Sequence, residues 1–357
     1  MVAKRAGINS LIVGLFFSLW PSQIFCQDWR ALLEKIYPLA SPSGYEHMVI
    51  SQIKSSLPPD WPSEIDNLGS LIVLKGKADF LVAAPVDEIG YFVSGITKDG
   101  FLRLDRAVSA PHRFIDNYLM GQGVTIWTKK GPVQGLVAHP AVHLLSRERR
   151  DQLDKGVSLD DLFVDVGAKS EEEVKAKGIQ MLDAVTRERI LTKLASKRLA
   201  GPSLSEKLFP TLLVSTILKM KNERKFKDLA LAWVAQSRVN ARGVKGNQSL
   251  GFLNIRNCWR IKKSIILAGW PENETSGQAK LGLGPVLVSS EPKPSALAEA
   301  FINIASAEKI ALQILMGKES PLLRPFQGED SEGIILGVAV RDMAIPAEAV
   351  SLADVDS

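Results

Sequence analysis

The chain has 357 residues, 46% apolar and 23% charged, with a formal net charge of +5. It is long enough to bury a sizeable core, and its length predicts two domains or one domain with a large insertion. The charge is too small to suggest a nucleic-acid partner. The basic clusters at 147–150 and 219–227 are interspersed with acids and apolar residues, as on solvated helix faces.

Lys4 and Arg5 followed by the apolar run Leu11 to Trp20 have the layout of a secretory signal, and the run is shorter than a membrane-spanning helix requires. The expectation is a signal peptide over 1–26, cleaved near Cys26 or Gln27, and export to a periplasmic or extracellular space. The alternative is a retained N-terminal membrane anchor. The mature part then keeps one cysteine, Cys258, so no disulfide framework is expected.

Apolar spacing predicts a helix from Trp29 to Tyr37, a turn at Ser41-Pro42-Ser43-Gly44 and a second helix from Tyr45 to Leu57. Residues 65–74 read as strand, Asn-Leu-Gly turn and strand, and Phe80 to Ala84 as a buried strand leading to Asp87 and Glu88. Carboxylates after such a strand lie on the edge where open α/β sheets place their sites. From about Gly95 short segments punctuated by glycine turns predict a β-rich barrel or sandwich, with a helix capped by Ser170 and ended by Gly178. Helix and strand alternation resumes after about Ser196, with segments 212–220, 229–234 and 264–267 and a long helix from Ala296 to Met316. The predicted organisation is an α/β domain formed by 27–90 and 197–357, interrupted by a β-rich domain of 91–196.

Several segments together resemble the tetrahedral, or glutamyl, aminopeptidase family of co-catalytic zinc metallopeptidases, relatives of the so-called endoglucanase M. They include Ser41-Pro42-Ser43-Gly44-Tyr45-Glu46, Asp66-Asn67-Leu68-Gly69, Asp87-Glu88-Ile89-Gly90, Asp99-Gly100-Phe101-Leu102, residues 163–168 and Leu281-Gly282-Leu283-Gly284-Pro285. The resemblance implies a three-layer αβα zinc-exopeptidase fold with an inserted small barrel or PDZ-like dimerisation domain. It also implies two zinc or cobalt ions held by histidines and carboxylates, a separate glutamate as base, and homo-oligomers.

The family's metal-ligand positions fall in this chain on Pro85, Ser205, Arg238, Gly269 and Ala344, and its base position falls on Ser237. Proline, glycine and alanine offer no side-chain donor, serine is no base near neutral pH, and a guanidinium repels a divalent cation. Asp87 keeps its place; in the family it orients a ligand histidine. Glu206, beside Ser205, is the remaining rescue candidate, and strand alternation would point it away. The expectation is therefore an exported, catalytically inactive relative with no cofactor and no metal. It would act as a scaffold or as a binding protein for a peptide or an active aminopeptidase relative, with no nucleic-acid partner and no membrane span. The alternative is an active metallo-aminopeptidase that releases N-terminal residues through non-standard ligands.

His139 and His143 stand four apart, but Pro140 and the strand-like residues before it favour a structural role. No nucleophile-elbow sequence surrounds Ser205 or Ser237. Arg238 is expected to enter the pocket near Asp87 and supply a positive charge there.

Overall fold

The computed structural model describes residues 25–357 except 76–77, 140, 154, 220–227, 273–277 and 329–330. The predicted signal segment up to residue 24, and most of the basic cluster at 219–227, lie outside the described residues. In chain order the helices of the first half are α1 (Phe25–Ile36), α2 (His47–Ser56), α3 (Arg147–Leu153) and α4 (Glu171–Ala176). The second half holds α5 (Leu204–Lys219), α6 (Leu250–Trp259), α7 (Ala296–Ala307) and α8 (Leu352–Asp356).

The strands begin with β1 (Ser63–Ile65), β2 (Leu71–Lys75) and β3 (Phe80–Pro85). Next are β4 (Tyr91–Ile96), β5 (Phe101–Arg106), β6 (Gly123–Thr128), β7 (Gly131–Ala138), β8 (Phe163–Asp165) and β9 (Ala184–Arg187). After them come β10 (Thr192–Leu194), β11 (Arg198–Ala200), β12 (Leu229–Val234), β13 (Lys263–Leu267) and β14 (Trp270–Pro271). The chain ends with β15 (Val286–Val288), β16 (Gln313–Leu315), β17 (Glu332–Gly337), β18 (Ala339–Val340) and β19 (Ala349–Ser351).

An eight-stranded mixed sheet in the order β1-β2-β12-β3-β13-β17-β15-β16 forms the centre. Its middle strands β12, β3, β13 and β17 run parallel, so their carboxyl ends share one edge. β3 is apolar throughout because both of its faces are covered. Phe80, Val82 and Ala84 pack with α1, α2, α5 and α7, while Leu81 and Ala83 join Phe252 and Ile255 of α6. The result is the expected three-layer αβα arrangement. Strands β4-β5-β8-β7-β6-β9 close a barrel around its own core of Tyr91, Val93, Ile126, Val164 and Val185. A small sheet in the order β10-β11-β19 brings residues 198–200 alongside 349–351.

Two segments differ from the sequence reading, and both differences bear on the site or its frame. Residues 204–207 open helix α5 and do not form a strand; Ser203 enters it through a left-handed backbone (φ 54°). Pro210 lies within this helix, where a sequence reading expects a break. The predicted helix Ala296 to Met316 ends at Ala307, and Gln313–Leu315 becomes the edge strand β16. Lys309, at φ 58°, turns the chain between them, and the apolar residues on both sides conceal the break in the sequence.

Candidate active site

The site forms where β3, β12 and β13 end, at the N-terminus of α5 and against the loop between β18 and β19. Parallel register sets Val234 beside Pro85, so residues 86–88 and 235–238 leave the sheet together. Asp87 is fully buried and accepts three hydrogen bonds, from Ser43 Oγ at 2.6 Å, from the Arg238 amide at 2.9 Å and from Ser237 Oγ. Glu88 is also buried; its Oε1 accepts from the Ser41 amide at 2.7 Å, from Arg189, and from Lys207 Nζ at 3.4 Å. Burial raises the Glu88 carboxyl, but Arg189 and Lys207 outweigh it and hold the group down at about 2. Burial in turn pushes the Lys207 ammonium down to about 8, against the pull of Glu88.

A second carboxylate pair faces the first. Ser205 Oγ lies 3.0 Å from Glu206 Oε2 and 2.9 Å from Glu348 Oε2. Glu348 also accepts from the Ser205 amide at 2.9 Å and from the Ala344 amide at 2.8 Å. Burial, followed by the neighbouring Glu206 charge, pushes the Glu348 carboxyl up to about 8, so it holds a proton at neutral pH. Burial and then Asp87 likewise push Glu46 up to about 7; its Oε1 accepts from the Gly44 and Gln236 amides. Arg238, its side chain 26% exposed, pairs with Glu206 and donates from Nε to the Asp87 carbonyl at 3.3 Å.

The structure brings all the sequence-predicted positions to this one edge. Pro85 closes β3. Ser237 donates to Asp87, and Ser205 links the two glutamates. Ala344, at φ 71°, donates its amide to Glu348. Gly269 lies so close to α5 that a Cβ there would meet Val340 Cγ2 at 2.6 Å and Ser205 Cβ at 3.2 Å. Arg238 does enter the pocket, but its ion pair is with Glu206, and it meets Asp87 through backbone atoms. Glu206 faces the site because it sits in the first turn of a helix, which corrects the expectation that it points away.

Sequence reasoning gave no role to Glu348, Lys207 or Arg189. Lys207 adjoins Glu206, and Glu348 stands four residues after Ala344. Nothing local marks Arg189, which reaches Glu88 across 101 residues.

Positions 85, 205, 238, 269 and 344 offer one hydroxyl oxygen, already bonded to two carboxyl groups, and a guanidinium among the acids. Among the described residues no three His, Cys, Asp or Glu side chains converge as ligands of one ion. The residues expected from the resemblance at the ligand positions therefore do not fit a metal pair. The site still holds several acids and a partly exposed cation at one sheet edge.

Residues 69–357 match the profile of the family described as M42 glutamyl aminopeptidase. The lysyl aminopeptidase of Pyrococcus furiosus is 28% identical over 344 residues, 92% of this chain and 94% of that protein. A putative aminopeptidase of Escherichia coli K12, SgcX, is 31% identical over half of this chain. The TET1 peptidase of Pyrococcus horikoshii, whose structure is described as able to assemble into a tetrahedron or a large octahedral shell, superposes with a TM-score of 0.77 at 24% identity. That superposition covers 92% of this chain and 96% of the other.

These matches overturn the expectation of a catalytically inactive scaffold or binding protein, because the matched family and the relative spanning nearly the whole chain are aminopeptidases. The expectation of no cofactor falls with it, since the resemblance to that family implies metal-dependent catalysis. Its physical error was to equate the loss of donors at five positions with an empty site, when the turn of α5 and the β18–β19 loop bring Glu206 and Glu348 into it. The match over 69–357, on an αβα sheet with a barrel inserted before its last strands, places this chain in the M42 glutamyl aminopeptidase family.

Proposed function

We propose that the protein is an aminopeptidase that releases N-terminal residues from peptides, with the metal dependence that its family implies. The observation that carries this reading, beside family membership, is the unit Arg238–Glu206–Ser205–Glu348 at the carboxyl edge of the sheet. Arg238 is partly exposed and donates hydrogen bonds, so it can steady the oxygen of the scissile carbonyl as negative charge develops there. Glu206 lies beside it, and its carboxyl oxygens can take a proton from the attacking water. That proton passes to the leaving nitrogen as the C–N bond breaks, and Glu348, holding its proton across Ser205, keeps the pair from carrying two negative charges. Ser237 is bound to Asp87 and takes no part as a base.

The same reading includes homo-oligomers, supported by the assemblies described for the Pyrococcus horikoshii neighbour. It includes export through the N-terminal segment. It divides the mature chain into an α/β domain of 27–90 with 197–357 and a β-rich domain of 91–196, supported by the separate barrel core. Among the described residues no helix is long and apolar enough to cross a membrane.

The test is hydrolysis of aminoacyl-anilides by purified protein beginning at residue 27, with metal content measured before and after chelation. The reading expects turnover, bound zinc or cobalt, and loss of turnover both on chelation and in Glu206→Gln. Absence of turnover with either metal supplied overturns it.

A further inference from the structure

The barrel carries a charged cluster inside one of its mouths, outside the pocket just described. In antiparallel pairs, residues directly opposite each other point to the same face. Tyr91 of β4 stands opposite Val185 of β9 and opposite Arg106 of β5, and Arg187 of β9 stands opposite Val124 of β6. Val124 and Val185 belong to the barrel core, so Tyr91, Arg106 and Arg187 are aimed inward with them. Asp116, fully buried in the short helical turn 115–119, completes the cluster. The mouth adjoins the α/β domain: Tyr91 follows Glu88 by three residues, and Arg187 precedes Arg189, which bonds Glu88, by two.

The polar groups of this mouth are not matched. Arg106 donates to Asp116 from Nε, at 3.2 Å, and from Nη2. Its Nη1 takes no part in that pair, and its side chain is 32% exposed, so the mouth is open on this side. Arg187 is 8% exposed, and among the described residues its Nε and Nη2 have no hydrogen-bond acceptor. The buried Tyr91 hydroxyl beside it has no partner by the same measure. Burial pushes that hydroxyl up to about 12 against the pull of Arg187, so it remains a donor at neutral pH. Asp105 and Glu188, the acids next in sequence to the two arginines, are exposed and alternate with them to the outside. Two guanidiniums thus face one carboxylate in the mouth, and one positive charge is left over. A guanidinium cannot shed its proton, and a buried charge left uncompensated is costly. A ligand carboxylate brings the single negative charge that closes this balance, and its planar pair of oxygens fits the guanidinium fork. A phosphate group, with a charge of about −1.5 to −2, overshoots it.

We propose that the barrel mouth binds the carboxylate group of a small molecule, with Arg187 and Arg106 as its anchors and the Tyr91 hydroxyl as a third donor. The proposal goes beyond the aminopeptidase reading and does not depend on it. Equilibrium dialysis of the full protein against radiolabelled acetate, at constant ionic strength, is expected to show saturable, stoichiometric binding. Arg187→Met should weaken that binding at least about tenfold, because a charge-assisted pair is lost, and Tyr91→Phe about threefold. Arg187→Met replaces an unpaired buried charge with an apolar side chain, so it is expected to fold, and its melting temperature should no longer rise with acetate as the wild type's does. Tyr91→Phe, which removes a single oxygen, keeps the test decisive should Arg187→Met fail to fold. Trialanine and its C-terminal amide serve as competitors and distinguish the source of the carboxylate. Displacement of acetate by trialanine alone extends the site to the carboxyl end of a peptide, and displacement by neither confines it to small free carboxylates; both results uphold the proposal. Lack of saturable binding, undiminished binding in Arg187→Met or in Tyr91→Phe, displacement by the amide, or tighter binding of inorganic phosphate than of acetate overturns it.

Discussion

Replacing Glu88 by glutamine probes the buried frame on which the site stands. In the native protein one carboxylate oxygen meets Arg189, Lys207 and the Ser41 amide. The Arg189 and Lys207 side chains are 5% and 0% exposed, so neither can turn to water when the charge is removed. The carboxyl is held down at about 2 against an ordinary 4.5, which corresponds to roughly 3 kcal/mol of charge-dependent stabilisation. Removing one partner of a buried ion pair ordinarily costs about 3–5 kcal/mol, because the other charge is left buried without compensation. Chemical denaturation at pH 7 should therefore show Glu88→Gln less stable than the wild type by about 3 kcal/mol. Because the folded value lies below the ordinary one, this contribution is complete above about 4.5 and fades as the pH falls towards 2. Adding Lys207→Met to Glu88→Gln removes one of the two stranded cations and should recover part of the loss. A loss under about 1 kcal/mol at pH 7 would refute the reasoning, since it would mean the two cations are not held by this carboxylate.

Glu46 and Glu348 titrate in the opposite sense. Their folded values are raised to about 7 and about 8, so the folded state binds the extra protons and stability falls as the pH rises from about 4.5 through those values. The melting temperature should decline from pH 5 to pH 9, and Glu348→Gln should flatten the upper part of that decline. Gly269→Asp should destabilise by about 1–3 kcal/mol because its Cβ would overlap Val340 and crowd Ser205. Arg238→Met should abolish aminoacyl-anilide turnover, because the partly exposed guanidinium that pairs with Glu206 at the sheet edge is gone.

Much of the frame was legible because it rests on local signals. The apolar run 80–84 predicts a strand buried on both faces, and the turn residues of 41–44 and 66–69 predict the tight loops that hold Ser43 and start β2. Glycine-punctuated short segments predict the barrel. The site was half legible. Asp87 and the convergence of residues 205, 237, 238, 269 and 344 followed from motif order, but how the carboxylates pair did not. Whether residues 203–207 form a strand or a helix decides where Glu206 points, and Pro210 and the polar Ser-Glu-Lys stretch hide the helix start. The Arg189–Glu88 bond depends on the return of the chain from the barrel, which no local pattern encodes. The break after Ala307 was invisible for the opposite reason, since apolar residues continue unchanged from helix into strand.

The most direct test of the central claim is mass spectrometry of a defined peptide incubated with the purified, metal-supplied protein. The expected result is a ladder shortened one residue at a time from the amino terminus, absent in Glu206→Gln. A peptide that stays intact, or is cut at internal bonds or from its carboxyl end, would contradict it.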